Sequence, residues 1–401
     1  MATLSFACGD SSTDEPGTMS NMCVNVAGNV EGLSITLPKP TVDAKGCVET
    51  ADPNDEERKF CTEKTEPDFS CLGQPDEFTG PSETVTMKGC VTAFGLGGDT
   101  HGLTVSVFLA ETMNGQLVDP GYDLEGMAGA QSDNTPSALL GRTLSTKVDA
   151  SECEDEGAFQ VEGIPTETEL VVRVTHQNLD KDSREFVDTY QYNVRLSNGA
   201  ITDAMGNAVM DTSSCDSSTC FVDETVNTIT ITTFLVIPPT ARVSSILGSD
   251  DLFDGFGQGH IAGEVQDCSS DDTVQNAVVG IDGKAKQRTY FNVGLPPDRD
   301  NLADPKAEVT RTMTNADGLF AFLAVDTDSG ATQTEIGAAV IPSVCGADGI
   351  CECTEDGQKN PEWSAADMGE GEVKVLGSRS VYVFPDSITL MSFDRSMYVS
   401  R

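Results

Sequence analysis

The feature of this chain that most constrains its fold is one run of strands and turns that occurs twice. The first copy reads Lys88-Gly89-Cys90-Val91-Thr92, Leu103-Thr104-Val105-Ser106-Val107, Glu156-Gly157-Ala158-Phe159-Gln160-Val161, then Glu169-Leu170-Val171-Val172-Arg173-Val174. The second reads Ile261-Ala262-Gly263-Glu264-Val265, Asn276-Ala277-Val278-Val279-Gly280-Ile281, Asn315-Ala316-Asp317-Gly318-Leu319-Phe320-Ala321-Phe322, then Glu335-Ile336-Gly337-Ala338-Ala339-Val340. Each copy is two alternating strands, an acidic-Gly turn opening an aromatic strand, and a further apolar strand. Self-similarity at this scale implies two similar domains. Successive side chains on a strand face opposite ways, so Phe320 and Phe322 share a face, as do Val279 with Ile281 and Val105 with Val107. These residues are expected to form core rather than a ligand platform. Asp317-Gly318 supplies the positive φ of a tight turn, which glycine adopts without Cβ strain.

The rest of the chain fits an all-β fold of tandem antiparallel sandwiches with long loops. No 11–18-residue window carries a helical stripe, and the 38 Gly and 18 Pro suit many short strands and turns. A length of 401 residues holds two or three domains. Residues 1–22 are expected to be a partial leader and polar tether. Residues 23–82 form a cysteine-rich acidic segment with a strand pair at Val24–Val30 and Leu33–Leu37 and too little apolar sequence for a core of its own. The first sandwich is expected over 83–240, with further strands at Thr189–Leu196 and Thr228–Val236. A Gly/Asp/Ser linker follows over 241–259, and a second sandwich over 260–401 ends in a β-like piece. Both copies carry long inserts between their second strand and their Gly turn, within the spans Gly89 to Gly157 and Gly263 to Gly318; inserts of that length are where binding is first sought, with disulfide-held decoration as the other reading.

The thirteen cysteines are Cys8, Cys23, Cys47, Cys61, Cys71, Cys90, Cys153, Cys215, Cys220, Cys268, Cys345, Cys351 and Cys353. Such density in an acidic β-rich chain points to disulfides and an oxidising compartment. Zinc fits less well: there is no pair of CxxC motifs, only Cys351-Glu352-Cys353, and His101, His176 and His260 lie far from the cysteines in sequence. Cys215 and Cys220 are the easiest local pair, and closing so small a loop contributes roughly 2 kcal/mol. Pairing of Cys345, Cys351 and Cys353 with Cys268 or Cys153 stays open.

With 24 basic and 65 acidic residues the net charge is −41, which argues against nucleic-acid binding because phosphates are repelled. It suits a soluble acidic surface, high ionic strength or cation binding. Asp180, Asp182 and Asp188, and separately Asp326 with Asp328, are the weak calcium candidates, although neither group has the twelve-residue loop of an EF-hand. No other cofactor is expected. No G-x-S-x-G, P-loop or H-E-x-x-H motif occurs, so catalysis is not expected.

The doubled pattern, best in Asn315-Ala316-Asp317-Gly318-Leu319-Phe320, resembles the carboxypeptidase regulatory-like family. Its members are small sandwiches akin to transthyretin and starch-binding domains. In the first copy Glu156 stands where that family has the turn Asp. The resemblance covers about half the chain and implies a non-catalytic structural or binding module, with a carbohydrate-binding module as the alternative. That alternative asks for an aromatic platform, and the chain has one Trp. Leu4-Ser5-Phe6-Ala7-Cys8-Gly9 and the polar stretch after it resemble the end of a bacterial lipoprotein signal, with Phe6 and Ser5 departing from the usual motif. This resemblance implies acylation of Cys8, twelve remaining cysteines, and a membrane partner through lipid. Gly9 implies the outer membrane of the cell envelope, and a protein or glycan is the expected ligand. A leader upstream of Met1 would supply the basic and apolar stretch such a signal needs.

Overall fold

The computed structural model describes residues 23–25, 34–36, 48–52, 55–62, 67–74, 81–94, 99–110, 112–113, 116–117, 139–147, 153, 156–176, 185–230, 258–268, 273–274, 277–291, 307–308, 313–314, 318–327, 331–340 and 374–398. Strand makes up 62% of the interpretable residues and helix 4%, so the fold is all-β. Two hairpin pairs come first: β1 (Cys23–Asn25) with β2 (Ser34–Thr36), and β3 (Val48–Asp52) with β4 (Asp55–Thr62).

The first unit comprises β5 (Thr84–Phe94), β6 (Leu103–Leu109), β7 (Thr112–Met113), β8 (Gln116–Leu117), β9 (Leu139–Leu144), β10 (Gly157–Pro165), β11 (Glu169–His176), β12 (Phe186–Arg195), β13 (Phe221–Asp223) and β14 (Val226–Thr230). The second comprises β15 (Gln258–Glu264), β16 (Ala277–Ile281), β17 (Ala285–Phe291), β18 (Ala307–Glu308), β19 (Leu319–Asp326), β20 (Thr332–Val340), β21 (Lys374–Val383) and β22 (Ser387–Leu390). Where the sequence suggests a last β-like piece, the chain makes one turn of helix, α1 (Arg395–Tyr398).

The repeat is a repeat in register. In the first unit β5 pairs with β10, placing Gly89 opposite Phe159; in the second β15 pairs with β19, placing Gly263 opposite Phe320. Each of these opening strands takes a parallel neighbour from the end of its own unit, β14 beside β5 and β22 beside β15. The facing layers also match: β6–β11–β12 in one and β16–β20–β21 in the other. The two glycines have one physical reason. A Cβ on Gly89 would overlap the carbonyl oxygen of Glu224, and one on Gly263 that of Met391. Glycine lets the returning backbone close against the opening strand. Gly318 has φ 66°, the conformation its turn needs, while Asp317 lies outside the described residues.

The alternation decides the cores. Val85, Met87, Val91, Leu103, Val105, Val107, Phe159, Val161, Leu170, Val172 and Val174 fill the first unit. Phe320, Phe322, Val279, Ile336, Ala338, Val381 and Phe384 fill the second. The second core also takes in Cys71, Phe108, Ala110, Val171, Tyr190 and Tyr192 from earlier in the chain. The units therefore do not hang as beads on a linker. β12 pairs in parallel with β22 from Asp188↔Ser387 to Gln191↔Leu390, so β22 lies between β12 and β15 and one sheet runs through both units. β15 starts at Gln258, inside the stretch expected to be linker.

Three disulfides join the described cysteines: Cys71–Cys268, Cys90–Cys153 and Cys215–Cys220. Cys268 and Cys153 are thus taken by Cys71 and Cys90 rather than by Cys345, Cys351 or Cys353. Cys23 and Cys61 lie on β1 and β4, whose side chains are outside the described set, as are Cys8, Cys47 and the three late cysteines. The Cys215–Cys220 loop is held independently by Thr219 and Cys220 N–H groups donating to the Asp216 carbonyl. Replacing both cysteines by Ala is expected to cost no more than about 2 kcal/mol, read as a small shift of the denaturation midpoint.

Candidate functional site

Between the units lies a cleft of about 830 Å³. Its floor is the shared sheet: Gln191, Asn193 and Arg195 of β12, Ile388 and Leu390 of β22, His260, Ala262 and Glu264 of β15, and Leu319, Ala321 and Leu323 of β19. These positions alternate along each strand, which puts them on one face. Its wall is β14 with the preceding connector, Glu224 and Thr225, and Phe94 at the end of β5. The cleft exists because β12 pairs with β14 only at Phe186↔Thr230 and Val187↔Ile229. Beyond that point β14 follows β5 and β12 follows β22, so the strands part like a wedge.

The closed end is buried and largely apolar. Ile388, Leu323, Ala321 and His260 are no more than 2% exposed there, and the Thr189 and Thr228 hydroxyls meet across it at 3.3 Å. His260 accepts the Ala324 N–H on Nδ1 at 3.2 Å, and burial lowers its pKa to about 3, so it is neutral. The open end is polar. Gln191 accepts the Asn227 N–H at 2.9 Å, the Asn193 amide nitrogen donates to both Asp394 carboxylate oxygens at 2.8 and 2.9 Å, and Gln266 donates to Glu264. Glu224 faces the same mouth, and its carboxyl accepts no hydrogen bond among the described residues. Burial, with Asp394 adding repulsion, raises its pKa to about 7.

The two units are also fastened together across the junction. Arg379 of β21 donates to Glu169 at 2.5 Å and to the Asn193 side-chain oxygen at 2.8 Å, and Asn193 in turn holds Asp394. The chain Glu169–Arg379–Asn193–Asp394 thus crosses the junction repeatedly. The Tyr382 N–H donates to the Tyr192 hydroxyl at 3.1 Å, and Tyr190 stacks on Phe384 with ring centroids 4.1 Å apart. A junction so tied holds the cleft's shape.

The residues singled out from sequence fall elsewhere. Asp188 pairs with Arg173 at 3.4 Å, and Asp326 ends β19, three strands away. The structure does not bring these two together, Asp180, Asp182 and Asp328 lie outside the described residues, and no group of His, Cys, Asp or Glu fit for a metal is found among the described ones. The histidines are scattered: His101 beside Asp99, His176 stacked on Phe186, His260 deep in the cleft. Phe94, 39% exposed, is the single large exposed aromatic among the residues with described side chains, so no ring platform forms among them. The described parts of the two inserts add further strands: β9 pairs with β6 and β7 with β8 in the first, and β17 pairs with β19 and β18 in the second. The cavity lies at the junction instead. Sequence reasoning missed Gln191, Glu224, Glu264 and Asp394 because no local motif links them. No helix among the described residues is long and apolar enough to cross a membrane.

No family model matches the chain, and no curated protein matches it. Among solved structures it is similar to the shaft pilin SpaA of Lactobacillus rhamnosus GG, at 10% identity over 78% of this chain and 97% of that one, with a TM-score of 0.17. It is also similar to the SpaE basal pilin of the same organism, at 12% identity over 71% of this chain and 93% of the other, with a TM-score of 0.19. At such scores the likeness carries no statement about this chain.

Proposed function

We propose that this chain is an exported, non-catalytic protein of the bacterial cell envelope, anchored through lipid on Cys8, whose two carboxypeptidase regulatory-like sandwiches act as one rigid structural and binding module. The observation that carries this reading is that all six cysteines with described side chains are in disulfides, two of which span 197 and 63 residues. Long-range disulfides persist in oxidising compartments and are rare in the cytosol. The shared sheet and the Arg379 network support the structural part, because they fix the two units against each other. The scattered histidines support a role without acid–base or nucleophilic chemistry. Lipid on Cys8 agrees with an acidic body held out from the membrane by a polar tether, as several acyl chains anchor stably where one does not.

Mass spectrometry on membrane-fraction protein from the native host tests the anchor. The expected result is an N-terminal acylated Cys8, with the Cys8→Ser variant moving to the soluble fraction. An unmodified Cys8 thiol on membrane-associated protein would remove the lipid from this reading and leave the two-unit module standing.

A further inference from the structure

We propose that the wedge between the two units binds a small amphiphilic amine, its apolar body against Leu390, Ala262 and Ile388 and its ammonium head between Glu224 and Asp394. This goes beyond a structural role and does not depend on the lipid anchor.

The cleft's volume, about 830 Å³, lies in the range of small-molecule sites, roughly 300–1,000 Å³. Its gradient is that of an amphiphile: buried Ile388 and Leu323 at the closed end, half-buried Leu390 and Ala262 midway, and hydrogen-bonding groups at the mouth. Charge selects the head. The carboxylates at the mouth are Glu224 on the connector before β14, Glu264 on β15 and Asp394 after β22, and the cations are Arg195 on β12 and Arg395 on α1. Arg195 is engaged by Glu167 at 3.0 Å, with side chains only 14% and 5% exposed. His260 at the closed end is neutral. The mouth is therefore net acidic on a chain of charge −41, which disfavours carboxylate or phosphate heads. Glu264 and Asp394 already accept from Gln266 and Asn193, whereas Glu224 has no such donor among the described residues and is held partly neutral by burial and by Asp394. An ammonium between the two carboxyls supplies the missing donor and relieves their repulsion, a charge-assisted contact in a half-buried site. An uncharged hydroxyl supplies the donor but not the charge.

Calorimetric titration of the full chain at pH 7 with octylamine, octanol, octanoate and methylamine tests this. Octylamine is expected to bind at least about tenfold more tightly than octanol, while octanoate and methylamine give no measurable binding, the first for its charge and the second for want of an apolar body. Octylamine binding should also release protons, because it converts Glu224 to its charged form. Repeating the titration in buffers of different ionisation enthalpy reads this release. Glu224→Gln is expected to lose the proton release and about tenfold in octylamine affinity while keeping its octanol affinity, and Leu390→Gln to weaken both ligands. Glu224→Gln relieves a buried-carboxyl penalty at this pH, so a folded variant that has lost amine binding reports on the site. Equal affinity for octylamine and octanol, octanoate binding as well as the amine, proton release that survives Glu224→Gln, or no octylamine binding to the folded wild type would each overturn the proposal.

Discussion

Replacing Cys71 and Cys268 together by Ala is expected to destabilise the protein more than loss of either other described disulfide, by about 4–5 kcal/mol on the loop-entropy estimate. The bond closes a span of 197 residues that contains the whole first unit. The estimate takes the lower part of its range because Cys90–Cys153 already shortens that loop in the unfolded chain. Both cysteines are buried, 8% and 4% exposed, so Ala rather than Ser avoids leaving a hydroxyl in the core. The bond also positions the segment around it. Asp68 N–H donates to Asp267, Cys268 N–H to the Asp68 carbonyl, Gly73 N–H to the Tyr398 carbonyl, and Phe69 meets Tyr398 edge-on with ring centroids 6.0 Å apart. This strip precedes the first unit in sequence yet packs on the second, where Phe69 and Leu72 lie against the core and the disulfide ties these local contacts together. The double variant should therefore show two things: a lower guanidinium midpoint, and protease cleavage within residues 67–74 that the wild type resists. The Cys215, Cys220 double variant is the control, with an expected loss of about 2 kcal/mol at most. A Cys71, Cys268 variant no less stable than that control would show that the long span imposes no constraint on the unfolded chain.

Period-two alternation made the strands legible, because it records which side of each strand is buried: Val105 and Val107, or Phe320 and Phe322, announce a core face by spacing alone. The acidic-Gly turn was legible for a similar reason, since Gly318 needs a backbone conformation few other residues accept. Edge pairing leaves no such record. The β12–β22 pair is made by backbone groups, and Ser387-Ile388-Thr389-Leu390 looks like any short strand. Its one sign is Thr389, fully buried with its hydroxyl donating to the Tyr382 carbonyl, as befits a strand covered on both edges. Disulfide partners were legible only where the chain is short between them, so Cys215–Cys220 was within reach and Cys71–Cys268 was not. The cleft was hidden most completely. Its mouth joins Gln191, Glu224, Glu264 and Asp394, residues brought together only because β12 and β14 part company beyond Val187.

The pH dependence of stability follows from two groups in that cleft whose effects oppose each other. Glu224 has its folded pKa raised from 4.5 to about 7, so its neutral form is favoured in the fold. Its contribution is complete below pH 4.5 and is lost as pH rises towards 7. His260 has its folded pKa lowered from 6.5 to about 3, so its contribution is complete above pH 6.5 and is lost as pH falls towards 3. Each changes stability by up to about 1.4 kcal/mol per pH unit within its window. The windows overlap between pH 4.5 and 6.5, where the slopes cancel and this pair leaves wild-type stability flat. Glu224→Gln removes one slope and keeps the shape of the side chain. The variant is expected to be more stable than wild type at pH 8 by about 2 kcal/mol, a value discounted for the partial exposure of Glu224. Between pH 6.5 and 4.5 the variant should lose stability on acidification, by roughly 1 kcal/mol per unit, because His260 is no longer offset. Urea denaturation of both proteins at half-unit steps from pH 4.5 to 8 measures this. A variant whose profile stays parallel to wild type would mean that Glu224 is as well solvated in the fold as in the unfolded chain. In that case the mouth of the cleft holds no carboxyl waiting for a donor.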